Sequence, residues 1–384
     1  MDLRCRHPGH PGHSLHHPDS TRPVHRQRVG PTAQPGRRVG PRAVRVVTGH
    51  QGAGLQPLPA SAVTGGAETE TDPQPESDPE PHRQFHADAH AHAHAHAHAH
   101  RDLCVRDPLH RGRSGPARPA ARAGFRVTAA DLADVRNRGV ASWIERQLTP
   151  AAIDDSECQH VLDRLPDQSE PIWKVRDLLD TDRRSGWEQQ MSVLAGFTAR
   201  ALWSKRQLQV VLEDLWGNHF NVTCPGDNIS ESRAHYAWTI RRHALGRFAD
   251  LLRAVSTHPA MLTYLNNRDS DDEHPNENQG RELLELHTVG LAAGYTETDV
   301  LNSARILTGL SVDWESGEYE FKPWRHWVGA VRVLDFQHAN ATEVGGEAVA
   351  LAYLDHLAHH PATAQRVAGI LARRFVSDDP PLLW

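Results

Sequence analysis

The sequence predicts a mainly α-helical fold, one multi-helix globular domain with a small β-hairpin, preceded by a low-complexity segment that reads as disordered. Three observations carry this reading. All ten Trp and all five Tyr of the 384 residues lie at or after Trp143, and among the Phe only Phe85 precedes Phe125. The first ~120 residues therefore lack the large side chains that dominate cores. From about Ala121 onward, apolar residues recur at helical spacing, with Thr or Asn before several runs and Gly after them.

The chain divides into residues 1–119, rich in Pro, Arg, Gly and His, and residues 120–384. Chains that cannot offset backbone ordering with apolar burial stay disordered. From His86 to His100, His alternates with Ala, interrupted by Asp88. Such a run suits zinc, copper or nickel, but nothing in it fixes a coordination number. An Ala-His repeat is what GCC-CAC codons give, and one base on they read as Pro-Thr. Part of this segment is therefore read as an out-of-frame translation, which the coding DNA tests. The net charge of -6, with Lys and Arg mixed among Asp and Glu, argues against a nucleic-acid partner. No run approaches 18 apolar residues, and the N-terminus lacks the apolar core of a signal peptide. Cys5, Cys104, Cys158 and Cys224 are too scattered for a disulfide framework or zinc spacing.

Thr128 to Asp131 has capping-box spacing, and Leu132, Val135, Val140, Trp143, Ile144 and Leu148 follow as a first helix. Pro166 and Pro171 bracket a loop. Trp187 to Phe220 reads as one broken or two joined helices, with Met191, Leu194, Phe197, Leu202, Leu208, Val211, Leu212, Leu215 and Trp216 inward. A long helix is expected over about Ser232 to Val255, and a short one from Pro259 to Leu265. Another runs from Glu277 to Val289, entered at Asn276 with Gln279 three residues on, and stopped at Gly290. Thr296 to Asp299 repeats the capping pattern before a helix through Leu307. Tyr319–Lys322 and Val331–Phe336 have the content of a small hairpin, while Val344–Leu357 and Pro361–Phe375 read as helices. Trp203, Trp216 and Trp238 are expected in the core.

Four ordered blocks carry a resemblance: Arg122-Ala-Gly-Phe125, Leu215-Trp-Gly-Asn-His-Phe220, Pro275-Asn-Glu-Asn-Gln-Gly-Arg-Glu-Leu-Leu-Glu-Leu-His287, and Tyr295-Thr-Glu-Thr-Asp299 leading into Ala304-Arg-Ile-Leu-Thr-Gly309. Over residues 120 to 381 the chain is similar to the bacterial family numbered 1800 among domains of unknown function. Members usually carry His-Leu-Leu where this chain has Pro119-Ala-Ala, and usually continue past the Asp-Asp-Pro-Pro block, so the domain looks truncated. The resemblance implies a helical domain and brings no assigned activity.

On a helix, Asn278, Arg281, Glu282 and Glu285 share one face. The acids could hold a divalent metal, or one could act as a general base tuned by Arg281. Glu282, Glu285, His219 and Asn278 are thus the candidate catalytic residues of a metal-assisted hydrolase, with no metal or cofactor identified. The alternative pairs Arg281 with Glu285 and Glu277 as a network fixing helix register. The protein is then a non-catalytic binding or assembly protein, marked by an apolar surface patch. A third reading is the inactive product of a damaged or mis-called gene. Glu285 and His287 point about 200° apart on an α-helix and so do not share one ion. His287 reads as a helix-end histidine whose positive form suits the helix dipole, and His243 and His326 as satisfied histidines. No Gly-x-Ser-x-Gly, phosphate loop or His-Glu-x-x-His is present.

Overall fold

The computed structural model describes residues 117–380. The low-complexity reading of 1–119, apart from its last three residues, the His-Ala run and the tail after 380 lie outside the described residues. Fourteen α-helices and two small antiparallel hairpins make up the described fold. The chain begins with α1 (Ala117–Arg122), α2 (Ala129–Arg138) and α3 (Val140–Leu148). The expected first helix is two, because Gly139 between them takes φ +79°. The Thr128–Asp131 capping box forms as expected. The Arg-Ala-Gly-Phe block ends against Gln207, whose Oε1 accepts from Phe125 N–H at 2.9 Å.

After α4 (Ser156–Leu162) and α5 (Ile172–Asp180) come α6 (Gly186–Trp203) and α7 (Gln207–His219). Here the structure corrects the sequence. Leu208, Val211, Leu212 and Trp216 of α7 are buried, but Leu194 and Leu202 of α6 face outward, 44% and 52% exposed, and Trp203 is exposed as well. The buried face of α6 is mixed instead, carrying Gln189, Gln190, Ser192 and Arg200 beside Val193, Gly196 and Ala199. Its polar groups are met from neighbouring elements. Gln190 donates to Gly226 O and Ser230 Oγ, Gln168 reaches Ser192 O, and Arg200 makes a two-pronged pair with the buried Glu213 of α7. Arg241 Nη1 joins the same carboxylate at 2.8 Å.

The long helix expected from Ser232 breaks into α8 (Arg233–His243) and α9 (Phe248–Ser256) around a turn in which Gly246 N–H donates to His243 O. Helix α10 (Pro259–Tyr264) is capped by His258, whose Nδ1 accepts from Ala260 N–H at 3.1 Å. That leaves Nε2–H of His258 to donate to His235 Nδ1 at 3.0 Å. His360 caps the last helix in the same way, through Ala362 N–H.

Helix α11 (Glu277–Glu282) packs on α12 (Glu297–Leu307), which is entered by the expected Thr296–Asp299 capping box. Instead of one hairpin there are two, β1 (Leu310–Val312) with β2 (Tyr319–Phe321), and β3 (Val331–Val333) with β4 (Phe336–His338). The Asp299 carboxylate accepts from Leu334 N–H, tying the second hairpin to the start of α12. The chain closes with α13 (Gly346–His359), packed on α9, and α14 (Pro361–Phe375). One apolar core joins Phe220, Tyr236, Leu252, Leu262, Leu284 and Tyr353.

Candidate functional site

The central polar motif enters α11 through Asn276, whose side chain accepts from Asn278 N–H at 3.0 Å. Gln279 does not complete a capping box, because its side chain turns inward to donate to Ser256 O at 2.7 Å. Arg281 pairs with Glu277 at 3.0 Å and with Glu297 of α12 at 2.6 Å. Glu297, then Glu277, therefore raises the guanidinium's pKa, and Arg281 lowers that of Glu297. The expected Arg281–Glu277 pair is present, with Glu297 as its second acid. Glu282 and Glu285 are each engaged within the fold. Glu285 Oε2 accepts from Tyr295 OH at a long 3.5 Å.

Gly280 explains why this motif sits so close to its neighbour. A Cβ there would lie 2.8 Å from Ala304 N and 3.2 Å from Ala304 Cα and Val300 O, all backbone of α12. Ser303 Oγ completes the crossing by donating to Gly280 O at 3.2 Å. Gly280→Ala is expected to lose about 1–3 kcal/mol by overpacking, although Ala is the better helix former by about 1 kcal/mol. The urea midpoint measures this, and a variant as stable as wild type would show that the two helices separate freely.

After Glu282 the helix widens into a π-helical turn, Leu283–His287, where a continued α-helix was expected. Such turns are rare and recur at functional sites. The freed carbonyls are satisfied by Thr288 Oγ1 on Leu283 O and Gly290 N–H on Leu284 O. Gly290 takes φ +75°, and a Cβ there would stand 2.5 Å from Arg366 Nη1. Arg366 of α14 donates to Leu286 O at 3.1 Å.

The turn buries His287 beside His219, the last residue of α7. His219 Nε2 lies 3.0 Å from His287 O, and since a carbonyl only accepts, Nε2 carries the proton. Trp216, Phe220 and Phe248 surround the two rings. Burial pushes His219 down to about 4, with Arg366 adding to the depression and the His287 carbonyl opposing it. Burial, then His219 and Arg366, pushes His287 down to about 3. His287 is therefore neutral, which corrects the expectation of a cationic helix end. His326 is held as expected, its ring between Thr308 O and Asn340.

The structure thus brings His219 to His287 and Arg366, and places Asn278 at a helix entry and Glu285 beside Tyr295. Among the described residues, no three His, Cys, Asp or Glu are grouped to hold a metal ion. A general base serves best with a pKa near the working pH, so an imidazole at about 4 is a poor proton acceptor at neutrality. Sequence reasoning missed the π-turn, Arg366 and the His258–His235 pair. His-Pro at 258–259 and 360–361 was the available sign of the histidine caps, since Pro favours the first helical position.

Fold and site define a mainly α-helical domain organised around the buried His287 with the half-buried His219 beside it, and a helix-locking ion network. A family model described as "Protein of unknown function (DUF1800)" matches residues 118–382, and the chain belongs to that family. No curated protein and no solved structure matches the chain.

Proposed function

We propose that the domain is a non-catalytic binding or assembly protein, in which the central polar motif locks helices together. The observation that carries this is the inverted helix α6. Trp187, Met191, Leu194, Thr198 and Leu202 follow i, i+4, i+7, i+11 and i+15, forming a mostly apolar stripe on the side away from the buried Gln189, Gln190 and Arg200. The stripe is about 22 Å long at 1.5 Å per residue. A helix that turns Gln189, Gln190 and Arg200 inward and shows Trp187 at 64% exposure to solvent suits a covered surface. The pairing of Arg281 with Glu277 and Glu297 supports a structural role for the motif.

A second reading keeps Glu282, Glu285, His219 and Asn278 as the site of a hydrolase, and the π-turn beside them favours it. The grouping does not fit a bound metal, so no metal-dependent step is assigned. Elemental analysis of the full chain against Glu282→Ala plus Glu285→Ala separates the two readings, because any metal on the His-Ala run is common to both proteins. Equal metal content with a lowered urea midpoint in the variant is expected. Stoichiometric metal lost from the variant would overturn the binding reading.

A further inference from the structure

A cavity of about 720 Å³ opens among α1, α3, α7 and α14. Its walls are apolar, with Trp143, Ile144 and Leu148 of α3, Leu212 of α7, and Leu371 and Phe375 of α14. Two polar side chains reach it, Arg122 and Gln147. Gln147 is committed to the fold: its Nε2 donates to Lys205 O at 3.0 Å and its Oε1 accepts from Leu208 N–H at 3.2 Å. Arg122 is not. Its Nη1 lies 3.5 Å from Arg374 O, the far limit of a hydrogen bond, and its Nε is buried with no partner among the described residues. No carboxylate among those residues pairs with it.

We propose that this slot binds a long-chain monocarboxylate, the aliphatic tail lying along α3 and α14 and the carboxylate on Arg122. A guanidinium presents donors in a fixed fork that a carboxylate accepts in parallel. Apolar walls with a single unsatisfied cation select for a molecule with one anionic end and a hydrocarbon remainder. The volume lies within the few hundred to about 1,000 Å³ usual for small-ligand pockets. Each methylene that enters the slot tightens binding about fourfold. This inference rests on the binding-protein reading and gives it a ligand.

Calorimetric titration of the full chain with decanoate, dodecanoate and dodecanol tests it. One saturable site is expected, with dodecanoate roughly sixteenfold tighter than decanoate if both added methylenes are buried. Dodecanoate should also exceed dodecanol by about tenfold or more, the worth of a charge-assisted hydrogen bond. Arg122→Gln removes the preference for the acid while leaving dodecanol binding. Leu371→Trp fills the slot and abolishes both, a readout that stands even if Arg122→Gln fails to fold. The proposal is overturned by no saturable binding, by equal affinity for acid and alcohol, by unchanged binding in Leu371→Trp, or by a dimer of this chain that excludes dodecanoate. Those results remove the ligand alone. Metal loss in the Glu282/Glu285 comparison would instead remove the binding reading beneath it.

Discussion

Glu213→Ala is expected to cost about 3–5 kcal/mol, a large part of the stability of a domain this size. Glu213 is 5% exposed and is the shared carboxylate of Arg200 on α6 and Arg241 on α8. Removing it leaves two guanidiniums facing each other, and Arg200, 4% exposed, retains only the Gln168 side-chain oxygen at 3.1 Å. The cost is that of stranding buried charge rather than the worth of the ion pair itself. The triple replacement Arg200→Met, Glu213→Leu, Arg241→Met removes all three charges together and should return to within about 2 kcal/mol of wild type. Urea unfolding of the single and triple variants checks both expectations. A single variant within about 1 kcal/mol of wild type would mean that water reaches this network.

The same network shows why α6 was misread. Helical periodicity in Trp187 to Trp203 says that two faces differ, and convention assigns the apolar one to the core. Which face turns inward was decided by Glu213 and Arg241, on other helices, and by Gln168 and Gly226, in loops. None of these is visible in the helix's own pattern. Elements fixed by local chemistry were legible: both Thr–Asp capping boxes, the stop near Gly309, and the broad α-helical class follow from residues adjacent in the chain. Breaks at Gly139 and around Gly246 fall at glycines inside periodic runs, but glycine alone does not mark a break, because Gly196, Gly217 and Gly369 lie within continuous helices. The candidate site was legible as a dense polar motif. Its arrangement was not, because the π-turn rotates His287 into the core and the neighbours Arg366 and Glu297 come from helices distant or separate in sequence.

Acid is expected to unfold the domain well before its carboxylates are generally protonated. His287 is 5% exposed and its pKa is depressed to about 3, whereas in the unfolded chain it returns to near 6.5. Below about pH 6.5 the unfolded state binds a proton that the folded state refuses, so stability falls as pH falls and is complete only above that value. The loss is about 1.4 kcal/mol per pH unit, reaching about 3 kcal/mol from this ring alone by pH 4.5. His219, depressed to about 4 and only half-buried, adds a smaller share in the same direction. His258 adds another, since burial holds it well below its usual range and protonating Nδ1 would destroy the α10 cap. Urea midpoints should therefore be flat above about pH 7 and drop steeply between pH 6 and 4.5. His287→Leu places an apolar side chain in the same apolar surroundings and should reduce that slope by about one proton's worth. An unchanged slope in His287→Leu would show that this imidazole opens to water and is not the neutral, enclosed group on which the π-turn closes.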